Sequence, residues 1–191
     1  METRSEVKSA GDGCAEPASR KRAPRNRTLT LSADDRKRLF QRVVSLEDQD
    51  PRLPLPLGRT ICGDSFRCLP LVAKASVDLV ILDPPYNLNK TFNGRAFARR
   101  AVHGYTEWLD EVCGLVRPLL KDTGSIYICG DWFSSGSIFS AASKHFEVRN
   151  RITWEREKGR GANANWKNSS EGIWFCTVSE EFTFKDRKSV V

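Results

Sequence analysis

Residues 83–86 read Asp-Pro-Pro-Tyr and follow directly on the apolar run VDLVIL of residues 77–82. Two consecutive prolines cannot extend a central strand, because neither can donate to a ladder and both have a fixed φ. What remains is a rigid rim of acceptors: the Asp83 carboxylate and the Pro84 carbonyl. Pro85 locks the turn, and Tyr86 adds a flat aromatic face. Each acceptor can take one N–H of an amino substituent on a planar ring. That grip holds the amino nitrogen and draws its lone pair out of ring conjugation while an electrophile approaches. A nucleobase has to leave its stack to reach such a grip, at a cost of roughly a few kcal/mol. Stacking on an aromatic side chain returns about 1–3 kcal/mol, so the exchange can balance. A plain proline turn is the alternative reading of the same four residues.

Two further acidic residues follow strand-like runs: Asp64 after RTIC, and Asp131, with Trp132 beside it, after SIYICG. One such aspartate alone reads as a turn residue or helix cap. In open α/β sheets ligands bind beyond the carboxyl ends of the strands. Three polar tips on adjacent elements, one of them Asp-Pro-Pro-Tyr, therefore predict a single cleft.

The elements that must position these tips alternate. Residues 31–48 predict a helix with Ser32 as N-cap, Asp34 and Asp35 in its first turn, and an apolar stripe of Leu39, Phe40, Val43, Val44 and Leu46. A proline-punctuated linker, DPRLPLPLG, follows. Then come a short strand (RTICGD), a brief helix or turn (SFRCLPLVAKA), and the run ending at Leu82, apolar without alternation as in a strand buried on both faces. An amphipathic helix (YTEWLDEVCGLVRPLLK), a strand (GSIYICG), a helix (SGSIFSAASKHF) and a strand (VRNRITWERE) come next. The glycine- and asparagine-rich GRGANANWKNSS is expected to be a loop, and EGIWFCTVSEEFTF a strand, a turn and a second strand. Trp154 and Trp174 are expected in the core. Alternation of this kind predicts an α/β sheet with crossover helices.

At 191 residues the chain can bury one core. Its net charge of +7 favours a polyanionic partner without demanding one. Cys14, Cys62, Cys68, Cys113, Cys129 and Cys176 form no C-x-x-C pair and there are only two histidines, so zinc-ligand spacing is absent. Reduced thiols and a cytoplasmic location are expected, with no metal. No apolar run reaches the roughly 18–20 residues that cross a bilayer. Residues 1–28 read as a disordered basic tail, 29–58 as helix and linker, and 59–185 as the folded body.

Three segments together, GDSFRCLPLVAKASVDLVILDPPYNLNKTFNG, YTEWLDEVCGLVRPLLKDTGSIYICGDW and ITWEREKGRGANANWKNSSEGIWFCT, resemble the amino-methyltransferase family of DNA methylases. The resemblance runs from about Arg59 to Phe184. It implies a partial Rossmann-like, S-adenosylmethionine-dependent methyltransferase fold, with a mostly parallel sheet flanked by helices. It also implies double-stranded DNA as partner and a homodimer for the complete protein. Asp83, Pro84, Pro85 and Tyr86 match the family's catalytic motif. Asp64 matches the residue contacting the adenosine part of the cofactor, and Asp131 lies where the cofactor pocket is shaped; Asp83 borders it too. Arg160, Lys167 and Asn168, in or beside the glycine-rich loop, are the DNA-binding candidates, with a plain surface loop as the alternative. A motif beginning with Asp rather than Ser leans towards adenine as target. Cytosine, RNA or a protein amide, and a non-catalytic nucleic-acid-binding remnant, are the competing readings.

The family also uses a glycine-rich turn of the F-x-G-x-G type at its cofactor site. Neither SAGDGCAEP nor the glycines at 159 and 161 sit in the strand–turn–helix setting that turn requires. In members with the catalytic motif first, that turn and the base-reading region come later. The last six residues, DRKSVV, match one reading frame of a common sequencing adapter. Residues 186–191 are therefore expected to be non-native, and the chain to be poorly soluble and inactive alone.

Overall fold

The computed structural model describes residues 30–185 except 49, 51–52, 93–94, 161–165 and 167. The basic head and the last six residues lie outside it. Helix α1 (Ala33–Phe40) starts as expected: Ser32 Oγ accepts from the Asp35 amide at 3.0 Å, and Asp35 Oδ2 accepts in return from the Ser32 amide at 3.4 Å. This reciprocal cap satisfies two of the orphan donors at the helix start. The helix does not reach residue 48. It ends at Phe40, and Val43–Ser45 forms strand β1 before a 3₁₀ turn at Leu46–Asp48. The reason is tertiary. The β-branched pair Val43 and Val44 finds a parallel partner in β2 (Thr60–Cys62), with Val43 opposite Thr60. Val44 and Leu46 are buried, and Leu46 packs with Leu55 and Cys68 in a small cluster. No residue of α1 is buried, so no packing holds further turns of helix.

A single helical turn, α2 (Ser65–Cys68), continues into a 3₁₀ turn and leads to β3 (Val77–Leu82). A small antiparallel hairpin, β4 (Lys90–Phe92) and β5 (Arg95–Phe97), precedes helix α3 (Val102–Val116). The long strand β6 (Leu120–Gly130), helix α4 (Ser135–Ala142) and strands β7 (Glu147–Arg160) and β8 (Asn168–Thr177) complete the body. The main sheet has the order β3-β6-β8-β7. The expected parallel character holds for β3 and β6, joined across α3 with Leu82 opposite Ile128. β8 runs antiparallel to both β6 and β7. Only residues 161–167 join β7 to β8, too few for the dozen or more that a parallel crossover needs. Among the described residues no second strand follows the turn after Thr177.

Helices α3 and α4 cover one face of this sheet. Leu109, Cys113, Ile126, Ile128, Ile138 and Ala141 form the centre of the core, each at most 1% exposed. α4 approaches so closely that a Cβ on Gly130 would overlap Ile138 Cδ1. On the other face Tyr127 stacks on Phe175 at 4.8 Å, and Phe182 and Phe184 close over Phe175. That cover does not extend to β3. The expectation that this strand is buried on both faces is corrected: Leu79 is 51% and Ile81 71% exposed, and β3 is an edge of the described sheet. Among the described residues no helix is long and apolar enough to cross a membrane.

Candidate active site

The register of the sheet brings the candidate residues to one end. β3 and β6 are parallel, so Asp83 and Asp131 leave the sheet side by side, each one residue beyond its strand. β8 arrives from the opposite direction with Gly172 opposite Gly130. Glu171 therefore lies at the same end, and Trp154 of β7 is its cross-strand partner.

The Asp83–Tyr86 turn is anchored from three sides. Pro84 is buried while Asp83 and Pro85 are exposed. The Pro85 carbonyl accepts from the hydroxyl of Tyr105 on α3 at 3.0 Å. Tyr105 is 3% exposed, and burial pushes its phenol up to about 12, with the Asp131 charge adding to it. Asn87, 5% exposed, grips the backbone of Arg100 with both ends of its amide: Nδ2 donates to the carbonyl at 2.9 Å and Oδ1 accepts from the amide at 2.7 Å. Asn89 Oδ1 accepts from the Arg99 amide at 2.7 Å. These side chains act as a ladder where the prolines cannot, and they fix the turn to the start of α3.

Tyr86 is half-buried. Burial raises its phenol to about 12, and the charges of Asp83, Cys129 and Asp131 act in the same direction while Arg156 opposes them. These neighbours show which groups surround the ring. Its hydroxyl stays protonated and donates to Glu171 Oε2 at 3.4 Å. The other oxygen of Glu171 pairs with Arg156 of β7.

Asp131 uses one oxygen structurally. Oδ1 accepts from the Ser134 amide at 2.8 Å and the Ser134 hydroxyl at 2.6 Å, fixing the entry to α4. Asp64 caps α2 in the same way, its Oδ1 accepting from the Phe66 amide at 2.9 Å. The three tips do not share one sheet, and Asp64 is the one set apart. It follows β2, which pairs with β1 in a separate two-stranded sheet. A row of rings links it to the turn: Phe66 meets Trp108 at 6.3 Å, and Trp108 stacks on Tyr105 at 5.7 Å.

Two of the loop candidates are cross-strand partners. Asn168 opens β8 opposite Arg160, and its Oδ1 accepts from the Ser170 amide at 3.2 Å. Lys167 and the side chain of Arg160 lie outside the described residues. Trp174 packs against the core beside Phe139, as expected. Trp154 does not: β7 is an edge strand, and this ring is 59% exposed at the site end of the sheet.

Sequence reasoning did not find Asn87, Tyr105, Arg156 or Glu171. Asn87 carried a signal, since an asparagine just after a proline turn is a natural backbone clamp. The others depend on helix packing and strand register.

A family profile described as DNA methylase matches residues 77–190, more than half of the chain. Type II methyltransferase M.BglII of Bacillus subtilis is 29% identical over 171 residues, covering 80% of this chain and 46% of that protein. DNA adenine methyltransferase YhdJ of Escherichia coli K12 is 35% identical over 94 residues, covering 49% of this chain and 32% of that protein. The chain thus spans less than half the length of either relative. Among solved structures, the PvuII DNA methyltransferase (cytosine-N4-specific) superposes with a TM-score of 0.58 at 16% identity, covering 75% of this chain and 57% of that one. That likeness shows the fold, a sheet flanked by helices as in S-adenosylmethionine-dependent DNA methyltransferases. With the Asp-Pro-Pro-Tyr turn at the carboxyl end of β3, these matches establish that the chain belongs to the DNA methylase family of the N6/N4 amino-methyltransferase type, whose methyl donor is S-adenosylmethionine.

Proposed function

We propose that this chain carries the base-gripping half of a DNA methyltransferase that modifies the exocyclic amino group of adenine. The observation that carries this reading is the anchored turn. Asp83 is exposed at the carboxyl end of β3, on a loop held by Tyr105 and Asn87, with Tyr86 beside it. Asp83 and the Pro84 carbonyl accept the two amino N–H groups, and Tyr86 stacks on the ring. A flipped base is thereby held with its amino nitrogen facing a donor. No nucleophilic cysteine is called for, because the amino nitrogen itself attacks.

The residues present fit the methyl donor in part. Asp83 and Asp131 bring two carboxylates to this end of the sheet, although the chain as a whole is strongly basic. That field suits a sulfonium cation and the amino and hydroxyl groups of an adenosine. Asp131 and Asp64 each commit Oδ1 to a helix start, leaving Oδ2 for a ligand. When bound, S-adenosylmethionine supplies an electrophilic methyl group. The end of the β7–β8 hairpin, where Arg160 pairs with Asn168, together with Lys167 and the 97% exposed Trp166, is the proposed DNA contact.

Adenine is preferred because the motif begins with Asp and because a relative, YhdJ, is named as an adenine methyltransferase. The test is expression of the chain, alone and with whatever coding sequence follows it at the source locus, in a methylation-deficient host. Sequencing of host DNA then reads modified bases. Methylated adenine supports the proposal, N4-methylated cytosine moves it to the other amino base, and unmodified DNA in both forms refutes it.

A further inference from the structure

We infer that Glu171 is a positioning residue for methyl transfer: held by Arg156, it takes the Tyr86 hydroxyl and sets the plane of the ring on which the target base stacks. This rests on the methyltransferase reading above. Three observations carry it. The register places Glu171 one residue beyond the Gly130–Gly172 pair, at the sheet end where Asp83 and Asp131 emerge. Both of its oxygens are engaged, Oε2 by the Tyr86 hydroxyl at 3.4 Å and Oε1 by Arg156. Its side chain is only 16% exposed and that of Arg156 31%, so the two charges are held away from bulk water and their geometry is constrained.

Among the described residues, the other hydrogen bond of Tyr86 is made by its backbone. Pro84 and Pro85 lie before it, and its carbonyl accepts from the Leu88 amide at 2.6 Å. A ring attached at Cβ alone can tilt. An acceptor at its hydroxyl end defines the plane, and a stacked substrate requires a defined plane. The competing role for Glu171 is plain bracing of the β7–β8 hairpin through Arg156. The two roles differ in whether Tyr86 matters.

Two measurements separate them. The first reads the contact without any reaction: ring-carbon NMR of the 191-residue chain with labelled tyrosine. There are three tyrosines, and Tyr86 is assigned by its loss in Tyr86→Phe. Glu171→Ala should shift the Tyr86 signal more than those of Tyr105 and Tyr127, and Glu171→Gln, which keeps an acceptor, should leave it nearly in place. An unmoved Tyr86 signal overturns the proposal. The second is steady-state methyl transfer to duplex DNA by the chain expressed with whatever coding sequence follows it at the source locus. Glu171→Ala should lower kcat about ten- to a hundredfold with KM changed less than about threefold. In a Tyr86→Phe background the same change should cost less than about twofold, because the two residues act as one unit. Full additive loss means that Glu171 only braces the hairpin, and overturns the proposal. Should the Ala variant not fold, Glu171→Leu keeps the volume without an acceptor and serves in both measurements. A wild-type enzyme that transfers no methyl group, with the NMR contact intact, removes the methyltransferase reading and this role with it.

Discussion

The two faces of the β3–β6 pair carry equally apolar side chains and have opposite fates. On the helical face Ile126 and Ile128 are at most 1% exposed under α3 and α4. On the other face Leu79 and Ile81 are 51% and 71% exposed, and among the described residues aromatic cover reaches as far as Tyr127 and Phe175. Burial scales with what lies on top of a residue, not with its own hydrophobicity. The site inherits this difference. The anchors of the Asp83–Tyr86 turn described above come from α3, from the Arg99–Arg100 backbone leading into it, and from β8.

The comparison breaks most visibly at its buried pole. Ile128→Ala should destabilise the fold by about 2–5 kcal/mol, read from denaturant midpoints. Gly130→Ala tests the same face by overfilling. With Ile138 Cδ1 in the way of a new Cβ, it should cost about 1–3 kcal/mol and shift Asp131 with the end of β6. Ile81→Thr is the control on the open face. Its expected effect on unfolding is within about 0.5 kcal/mol, while sedimentation should show less self-association. A loss as large as that of Ile128→Ala would mean that the open face is covered in solution.

The smallest effect lies at the rim of the helical face. Asp110 of α3 is paired with Lys144 and His145 at 2.6 Å each, and these partners hold its carboxyl below the ordinary 3.8. A depressed carboxyl stabilises the fold above its unfolded value, and that contribution is lost as pH falls through the lowered value. Asp110→Asn should therefore flatten the acid limb of a stability–pH curve by lowering stability at neutral pH, with little change once the carboxyl is protonated. A limb that keeps its slope would assign it to other carboxylates.

Sequence reasoning read the parts whose physics is local. Ser32 capped its helix, the double proline ended its strand, and the strand–helix alternation from Thr60 to Thr177 appeared in order. It failed where a partner decides. Val43 and Val44 fit a helical stripe as well as a strand, and only Thr60–Cys62 across the gap settles the matter. Trp154 and Trp174 have the same residue type in similar strands, and one is exposed because β7 is an edge. Glu171 looked like any strand carboxylate until register placed it beneath Tyr86. Asp64 was correctly read as following a strand, but that strand belongs to another sheet.

The central claim is that Asp83 grips the amino group being methylated. The most direct test is transfer of labelled methyl from S-adenosylmethionine to duplex DNA by the chain expressed with whatever coding sequence follows it at the source locus, with wild type and Asp83→Ala side by side and duplex binding measured on both. The account predicts label on an amino nitrogen with wild type, none above background with Asp83→Ala, and duplex affinities equal within about twofold, since phosphate contacts rather than this residue carry binding. Asp83→Ala labelling DNA as fast as wild type would contradict it.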